Sequence, residues 1–307
     1  MQGTVVKSTG SWYNVKSDDD AIVQCRIKGK FRIKGIKSTN PIAVGDLVEY
    51  DIDDDGYGVI HKIHPRKNYI IRKSTKLSKQ VHIIASNIDQ LVLVTTIVQP
   101  KIALGFVDRI LATAEAYSIP ATIVFNKFDL YDDEAIDKLA GILAIYDPIG
   151  YNYCLTSVKT KKGLSEFSEL LKGKTSLLSG HSGVGKSSLI NAIEPDLDLK
   201  VKDVSGYNEK GQHTTTFAEL HPLSIGGNII DTPGVRSFGI IDFEKEHLSH
   251  YFPEMKALMG QCKFHNCVHV NEPQCAVKAA VEEGEIAFSR YENYLNMYHD
   301  ENLDKNY

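Results

Sequence analysis

No stretch of this chain is long and apolar enough to cross a membrane; the most apolar run, residues 91–98, is short and contains Thr95 and Thr96. The opening residues, Met1-Gln2-Gly3-Thr4-Val5-Val6-Lys7, lack the basic region, apolar stretch and cleavage site of an export signal, so cytoplasm is the expected compartment. No internal repeat is present. Cysteine is scarce, and its five copies are unevenly placed: Cys25 and Cys154 stand alone, whereas Cys262, Cys267 and Cys275 share one short segment. In a cytosolic chain that distribution favours a metal over disulfides.

What remains is an ordinary globular composition, 42% hydrophobic and 24% charged, over 307 residues, a length that fits two or three domains. The net charge of −4 hides an asymmetry. Residues 1–80 carry 15 Lys and Arg against 9 Asp and Glu, a balance of +6, and the rest carries 20 against 30, a balance of −10. A basic module joined to an acidic one implies that only part of the molecule meets a polyanion.

The hydrophobic pattern divides the chain in three. Residues 4–7, 12–16, 21–28, 46–50 and 58–64 read as short strands separated by Gly, Asp, Asn and Pro, which predicts a small all-β barrel over residues 1–72. A Lys/Ser-rich stretch, 72–79, reads as a linker. From about residue 88 the pattern alternates β and α: strands over 91–96, 122–125, 153–156, 176–179 and 227–230, with helical spacing at Val107, Ile110, Ala114 and Tyr117 and a helix over 133–145. An α/β domain is expected over 73–240, and a Cys/His-rich module with helical flanks over 241–307.

Gly180-His181-Ser182-Gly183-Val184-Gly185-Lys186-Ser187 follows a predicted strand and opens a predicted helix, the context a phosphate-binding loop needs. Its glycines let backbone N–H groups converge on phosphate oxygens beside the positive end of the helix, which continues through Ser188. Lys186 would reach the β- and γ-phosphates, and Ser187 would ligate Mg²⁺. That loop alone indicates any NTPase. Asn126-Lys127-Phe128-Asp129, just past a buried strand, selects guanine: Asp129 can accept from N1–H and N2–H₂, Asn126 can address the O6/N7 edge, and the Lys127 stem can cover the ring. By itself this tetrapeptide could equally be a surface turn. Ser157, in Thr156-Ser157-Val158-Lys159, is a candidate to close over the base. Asp231-Thr232-Pro233-Gly234 follows a strand, so Asp231 can hold Mg²⁺ through water and the Gly234 N–H can sense the γ-phosphate. Between these motifs lies Gly211-Gln212-His213-Thr214-Thr215-Thr216; one threonine, with Thr215 as the choice, is a candidate second hydroxyl on Mg²⁺. Val235 stands where many small GTPases carry a water-orienting Gln, and His213 is the nearest substitute as a catalytic group, alongside Lys186 and Asp231.

The order of the loops is unusual. The base-reading motifs precede the phosphate loop, as expected if an ordinary GTPase sheet is assembled from a circularly permuted chain. Cys262-x₄-Cys267-x-His269-x₅-Cys275 supplies three thiolates and an imidazole, enough to close a tetrahedral Zn²⁺ site with no position left for water; His265 competes as the imidazole. In Arg26-Ile27-Lys28-Gly29-Lys30-Phe31-Arg32-Ile33-Lys34, charges alternate with apolar residues and fall on one face of a strand. With Lys37, Arg66, Arg72 and Lys73 they could track an RNA backbone, and Phe31 or Tyr13 could stack on a base. A merely solvated face reads equally well. Trp12 reads as core.

The motif order, Gly45-Asp46-Leu47-Val48-Glu49, the Gly211–Thr216 segment and the cysteine cluster together resemble the ribosome small subunit-dependent GTPase A family (the RsgA, or YjeQ, type) over nearly the whole chain. The resemblance implies an OB-fold, a permuted GTPase domain and a C-terminal zinc module with His269 as the fourth ligand. It further implies a role in late maturation of the small ribosomal subunit, with GTP hydrolysis stimulated by that subunit; the expected partners are GTP, GDP, the subunit and its rRNA, and the chain is expected to be a monomer. Gln212 departs from the basic residue expected there. A reading from another class is an RNA-binding assembly protein that uses GTP mainly as a conformational ligand.

Overall fold

The computed structural model describes residues 1–27, 41–73, 81–199, 218–231 and 245–299. Five strands near the N-terminus, β1 (Gln2–Ser8), β2 (Tyr13–Ser17), β3 (Ile22–Ile27), β4 (Leu47–Ile52) and β5 (Gly58–Ile63), close on themselves. β1 pairs antiparallel with β2, β2 with β3, and β4 with both β5 and β1, while β3 runs parallel to β5. This ring is a small closed barrel of the OB type. Alternation decides its faces: β2 buries Tyr13, Val15 and Ser17 and leaves Asn14 and Lys16 less covered. Val5, Cys25, Val48, Tyr50 and Ile60 fill the interior with them. Tyr13 is therefore core and no stacking platform. Trp12 is only half-buried, tilted against Tyr57 with ring centroids 5.0 Å apart. Arg26 pairs with Asp53 at 2.6 Å. Lys28, Lys30, Phe31, Arg32, Lys34 and Lys37 lie outside the described residues.

Next comes an antiparallel pair, β6 (Tyr69–Lys73) and β7 (Val81–Ser86). Where the composition suggests a linker, Arg72 and Lys73 are strand, in register with His82 and Val81. Strand pairing satisfies backbone groups whatever the side chains are, and composition does not report it. Residues 74–79 of the expected linker lie outside the described residues.

The α/β domain runs β8 (Gln90–Thr95), α1 (Leu104–Ala116), β9 (Ala121–Phe125), α2 (Asp133–Tyr146), β10 (Asn152–Leu155), α3 (Leu164–Leu171), β11 (Thr175–Ser179), α4 (Lys186–Ile193), β12 (Glu219–Pro222) and β13 (Asn228–Asp231). Strands β10-β9-β8-β11-β13 are parallel, and β12 joins antiparallel beyond β13. Every residue of β8 is buried, as a central strand covered on both faces requires. One face packs Ile110, Leu111 and Tyr146 of α1 and α2; the other packs Phe167, Leu171, Leu189 and Ile190 of α3 and α4.

The barrel and this sheet are hydrogen-bonded into one. β1 pairs with β12 at Lys7 and Glu219, whose side chains meet at 3.1 Å. Beside that seam the fully buried Asp46 carboxylate accepts from Arg66 Nε and Nη2, both at 2.6 Å, from Ser86 Oγ at 2.6 Å and from Ala43 N at 2.8 Å. Arg66, expected on an RNA-facing surface, is thus held inside the joint. A buried carboxylate is tolerated only when so completely paired.

The C-terminal module contains a 3-10 turn at Lys245–Tyr251 and helices α5 (Pro253–Lys256), α6 (Ala276–Glu282) and α7 (Phe288–His299). They enclose Phe252, Met255, Val277, Ile286, Tyr294 and Met297. α7 lies on α1, where Arg290 Nη1 and Asp108 Oδ1 are 2.7 Å apart. Among the described residues, no helix is long and apolar enough to cross a membrane.

Candidate nucleotide site and metal centre

β11 delivers its chain into the glycine loop at the carboxyl edge of the parallel sheet, and α4 departs from it at Lys186. Gly180 has φ +140°, and a Cβ there would sit 2.1 Å from the Val94 carbonyl oxygen of β8. Gly185 has φ +95°, and its Cβ would meet the Asn126 amide nitrogen at 2.5 Å. Both positions exclude side chains because the loop is pressed against its neighbours. Ser187 and Ser188 lie in the first turn of α4, half-buried like Gly183, and Ser182 is exposed. The Lys186 ammonium donates to the carbonyl oxygens of Gly180 at 2.6 Å and His181 at 3.0 Å. Burial lowers its pKa, and Asp231 at the end of β13 pulls the other way. The His181 ring lies 3.9 Å, centroid to centroid, from Phe106 of α1; burial first, then Lys186, disfavours its protonation.

Asn126-Lys127-Phe128-Asp129 leaves β9 at the same edge. Asn126 is buried; its amide donates to Val184 O at 2.8 Å and accepts from Thr156 Oγ1 at 3.0 Å. A residue expected at the base edge therefore ties the base loop to the phosphate loop, across 58 positions of sequence. Lys127 adopts a left-handed conformation, φ +59°, and its ammonium donates to Gln99 O at 3.0 Å. Ser157 Oγ donates to Asp129 Oδ1 at 2.6 Å, and Phe128 N donates to Thr156 O at 3.0 Å. The structure thus brings together Asn126, Lys127, Phe128, Asp129, Ser157 and residues 180–188, with Asp231 beside Lys186. His213, Thr214, Thr215, Thr216 and Gly234 lie outside the described residues. Phe106, Gln99 and Lys162 lie outside the sequence expectations for the site and have no local signal; Thr156 belongs to the segment expected to close over the base.

In the C-terminal module, one ligand atom each of Cys262, Cys267, His269 and Cys275 falls within 4.8 Å of the others. His269 Nδ1 is 3.6, 3.5 and 3.3 Å from the sulfurs of Cys262, Cys267 and Cys275, and Cys262 Sγ is 3.9 Å from Cys275 Sγ. A tetrahedral centre with metal–sulfur bonds of about 2.3 Å and a metal–nitrogen bond of about 2.0 Å has edges of roughly 3.8 and 3.5 Å. The four donors therefore fit a metal ion. His265 is exposed, whereas His269 is buried and held through its carbonyl by Tyr291 Oη at 2.7 Å. Ala276 N–H points at Cys262 Sγ, 3.3 Å away, an amide contact that steadies a thiolate.

Comparison with known proteins agrees with this architecture. Residues 63–241 match the family model described as RsgA GTPase, and residues 2–60 match that of the RsgA N-terminal domain. The chain is 55% identical over 300 residues to the small ribosomal subunit biogenesis GTPase RsgA of Flavobacterium johnsoniae, covering 97% of this chain and 92% of that protein. It is 50% identical to the protein of that name from Bacteroides fragilis, covering 99% and 98%. Among solved structures, YjeQ from Thermotoga maritima superposes with a TM-score of 0.79 at 40% identity, covering 97% of this chain and 96% of that one. YloQ, described as a circularly permuted GTPase, superposes at 0.74 with 34% identity, covering 97% and 93%.

Proposed function

We propose, since this chain belongs to the RsgA GTPase family, that it hydrolyses GTP to GDP and phosphate in the service of small ribosomal subunit maturation, in the cytoplasm and as a monomer. The observation that carries the reading is the Asn126–Val184 hydrogen bond, which sets a guanine-reading loop and a phosphate-reading loop edge to edge. In this reading Asp129 accepts from guanine N1–H and N2–H₂, with Ser157 holding its other oxygen, and the Lys127 stem covers the ring. Backbone N–H groups of residues 180–188 and the Lys186 ammonium take the phosphates. Mg²⁺, held by Ser187, Asp231 and Thr215, would offset charge on the β- and γ-phosphates. His213 orients the attacking water, and Gly234 senses the γ-phosphate. rRNA is met by the basic barrel, residues 1–72; the GTPase domain spans 73–240 and the metal module 241–307.

Stimulation by the subunit has a physical route. The β12–β13 hairpin lies in sequence between residues 200–217 and 232–244, which carry His213, Thr215 and Gly234, and the barrel's β1 is hydrogen-bonded to β12. Docking of the barrel therefore loads the strand between both catalytic segments. Purified small subunits should raise GTP turnover by about a hundredfold, the low end of what one positioned catalytic group supplies. His213→Ala should remove most of that gain. Unchanged turnover with subunits present would sink the ribosomal reading.

The metal we assign is zinc, from the three thiolates and one imidazole, with a structural role because no open position remains. A segment this short gains its order from the ion. Full-length protein should contain about one zinc per chain, and Cys275→Ser should lose it together with the melting transition of the C-terminal module. Elemental analysis alongside calorimetry checks this; a metal-free parent with the same transition would contradict it.

A further inference from the structure

The hydrogen bonds that fix the base loop leave the Phe128 side chain unaccounted for. Phe128 sits between Lys127 and Asp129, half-buried, with Tyr131 tilted against one side at a centroid distance of 5.3 Å. Over the ring stands the ammonium of Lys162, 3.4 Å from the centroid. Lys162 belongs to the segment that supplies Ser157, and its carbonyl accepts from Ser157 N at 3.0 Å, closing residues 157–162 into a tight loop. Gly163 follows at φ +68°, pressed so closely on Leu155 O that a Cβ would lie 1.9 Å away. The loop is thus closed at its base by backbone, and the same closing residue, Lys162, reaches across with its cation to the Phe128 ring. This loop follows β10, whose neighbour β9 leads into Asn126–Asp129, and the Lys162–Phe128 contact joins the two segments alongside the Phe128 N–Thr156 O, Thr156–Asn126 and Ser157–Asp129 hydrogen bonds.

We infer that Lys162 is a positioning residue for guanine recognition, acting through Phe128 to hold Asp129 and Ser157 at the spacing the base requires. A cation over an aromatic face is attracted by the ring quadrupole without a directional hydrogen bond, so it fixes distance while leaving the loop free to settle on the base. Loss of the charge loosens Asp129. Guanine, which offers that carboxylate two donors, N1–H and N2–H₂, suffers more than hypoxanthine, which offers only N1–H.

This rests on the guanine-site reading above, and the test keeps the two separable. Lys162→Met in the full-length protein should weaken GDP binding about two- to fivefold, the range of an exposed cation–π contact, and narrow the ratio of GDP to IDP affinity. Lys162→Arg should restore both. In a Phe128→Leu background the Lys162→Met change should have no further effect, since the ring through which it acts is gone. Unchanged GDP affinity in Lys162→Met, or equal losses for GDP and IDP with a lower melting temperature, would overturn the inference. Asp129→Asn is the control: if it keeps the parent's guanine preference, the guanine-site reading itself fails. If it loses that preference while Lys162→Met behaves as parent, only the role of Lys162 fails.

Discussion

If Asp129 reads guanine as proposed, Asp129→Asn should turn the site into one that prefers xanthine. Asp129 already has one oxygen committed, since Oδ1 accepts from Ser157 at 2.6 Å, and Ser157 is itself fixed by Thr160 N at 3.2 Å. Asparagine keeps that oxygen and replaces Oδ2 with an amide. Guanine presents two donors to this position, so the variant sets donor against donor and leaves a desolvated amine unpaired. Xanthine carries a carbonyl at the same place, which the new amide can serve. A charge-assisted hydrogen bond contributes about 1.5–3 kcal/mol, so the loss of GDP affinity should reach a hundredfold or more, about 3 kcal/mol. XDP should gain over the parent by a comparable factor. Competition binding of GDP and XDP on parent and variant measures both. A variant that still binds GDP as the parent does would remove Asp129 from base recognition, whatever it does to hydrolysis.

Where sequence was enough and where it was not follows from the range of the signal. The barrel strands were legible because alternation is local: β2 buries every second residue, and Tyr13, Val15 and Ser17 announce it. The phosphate loop was legible because its glycines, lysine and serine are contiguous. The metal cluster was legible because its four donors lie within fourteen positions. β12 was missed: it is four residues, and Glu-Leu-His-Pro has neither alternation nor an apolar run. α3 was missed although Leu164, Phe167 and Leu171 have helical spacing, because Gly163 and Gly173 close it after two turns. The joints were illegible for a different reason. Asp46 meets Arg66 and Ser86 from 20 and 40 positions away, and Arg290 meets Asp108 from 182. An ion pair of that separation leaves no period in the sequence. Asn126 shows the same limit inside a motif: its tetrapeptide names the chemistry, but the contact with Val184 depends on how β9 and β11 lie across the sheet.

The longest of these contacts carries the largest stability prediction. Arg290 is 1% exposed, and its guanidinium bonds Asp108 at 2.7 Å and Glu254 at 2.7 and 3.1 Å. It also lies over the rings of Phe252 and Tyr146, at 4.6 and 5.6 Å. Burial opposes its charge, but Asp108 and Glu254 outweigh that and keep its pKa above the ordinary value. Asp108 in turn accepts from Tyr146 Oη at 2.5 Å and Asn293 Nδ2 at 2.6 Å, so α1, α2 and α7 meet at its carboxylate, and α5 joins them through the Arg290–Glu254 pair. Arg290→Met keeps the apolar stem and removes the cation, leaving two carboxylates facing one another out of water. Breaking a buried pair in this way costs about 3–5 kcal/mol. The transition that includes the C-terminal module should fall by about 10 °C, at 2–4 °C per kcal/mol. Asp108→Asn should cost less, because Arg290 and Glu254 then still neutralise each other. The pH dependence gives the sign of the cause. Burial already holds the Asp108 carboxyl above its ordinary pKa while Arg290 pulls it down, so without Arg290 its folded-state value rises further above the unfolded one. The variant therefore takes up protons on folding, is stabilised as pH falls, and loses that stability as pH rises through the folded pKa. Calorimetry of parent and Arg290→Met at pH 6 and pH 8 should show the gap between them narrower at pH 6. A gap that is the same at both, or wider at pH 6, would mean that lost packing and not uncompensated charge is what the arginine prevents.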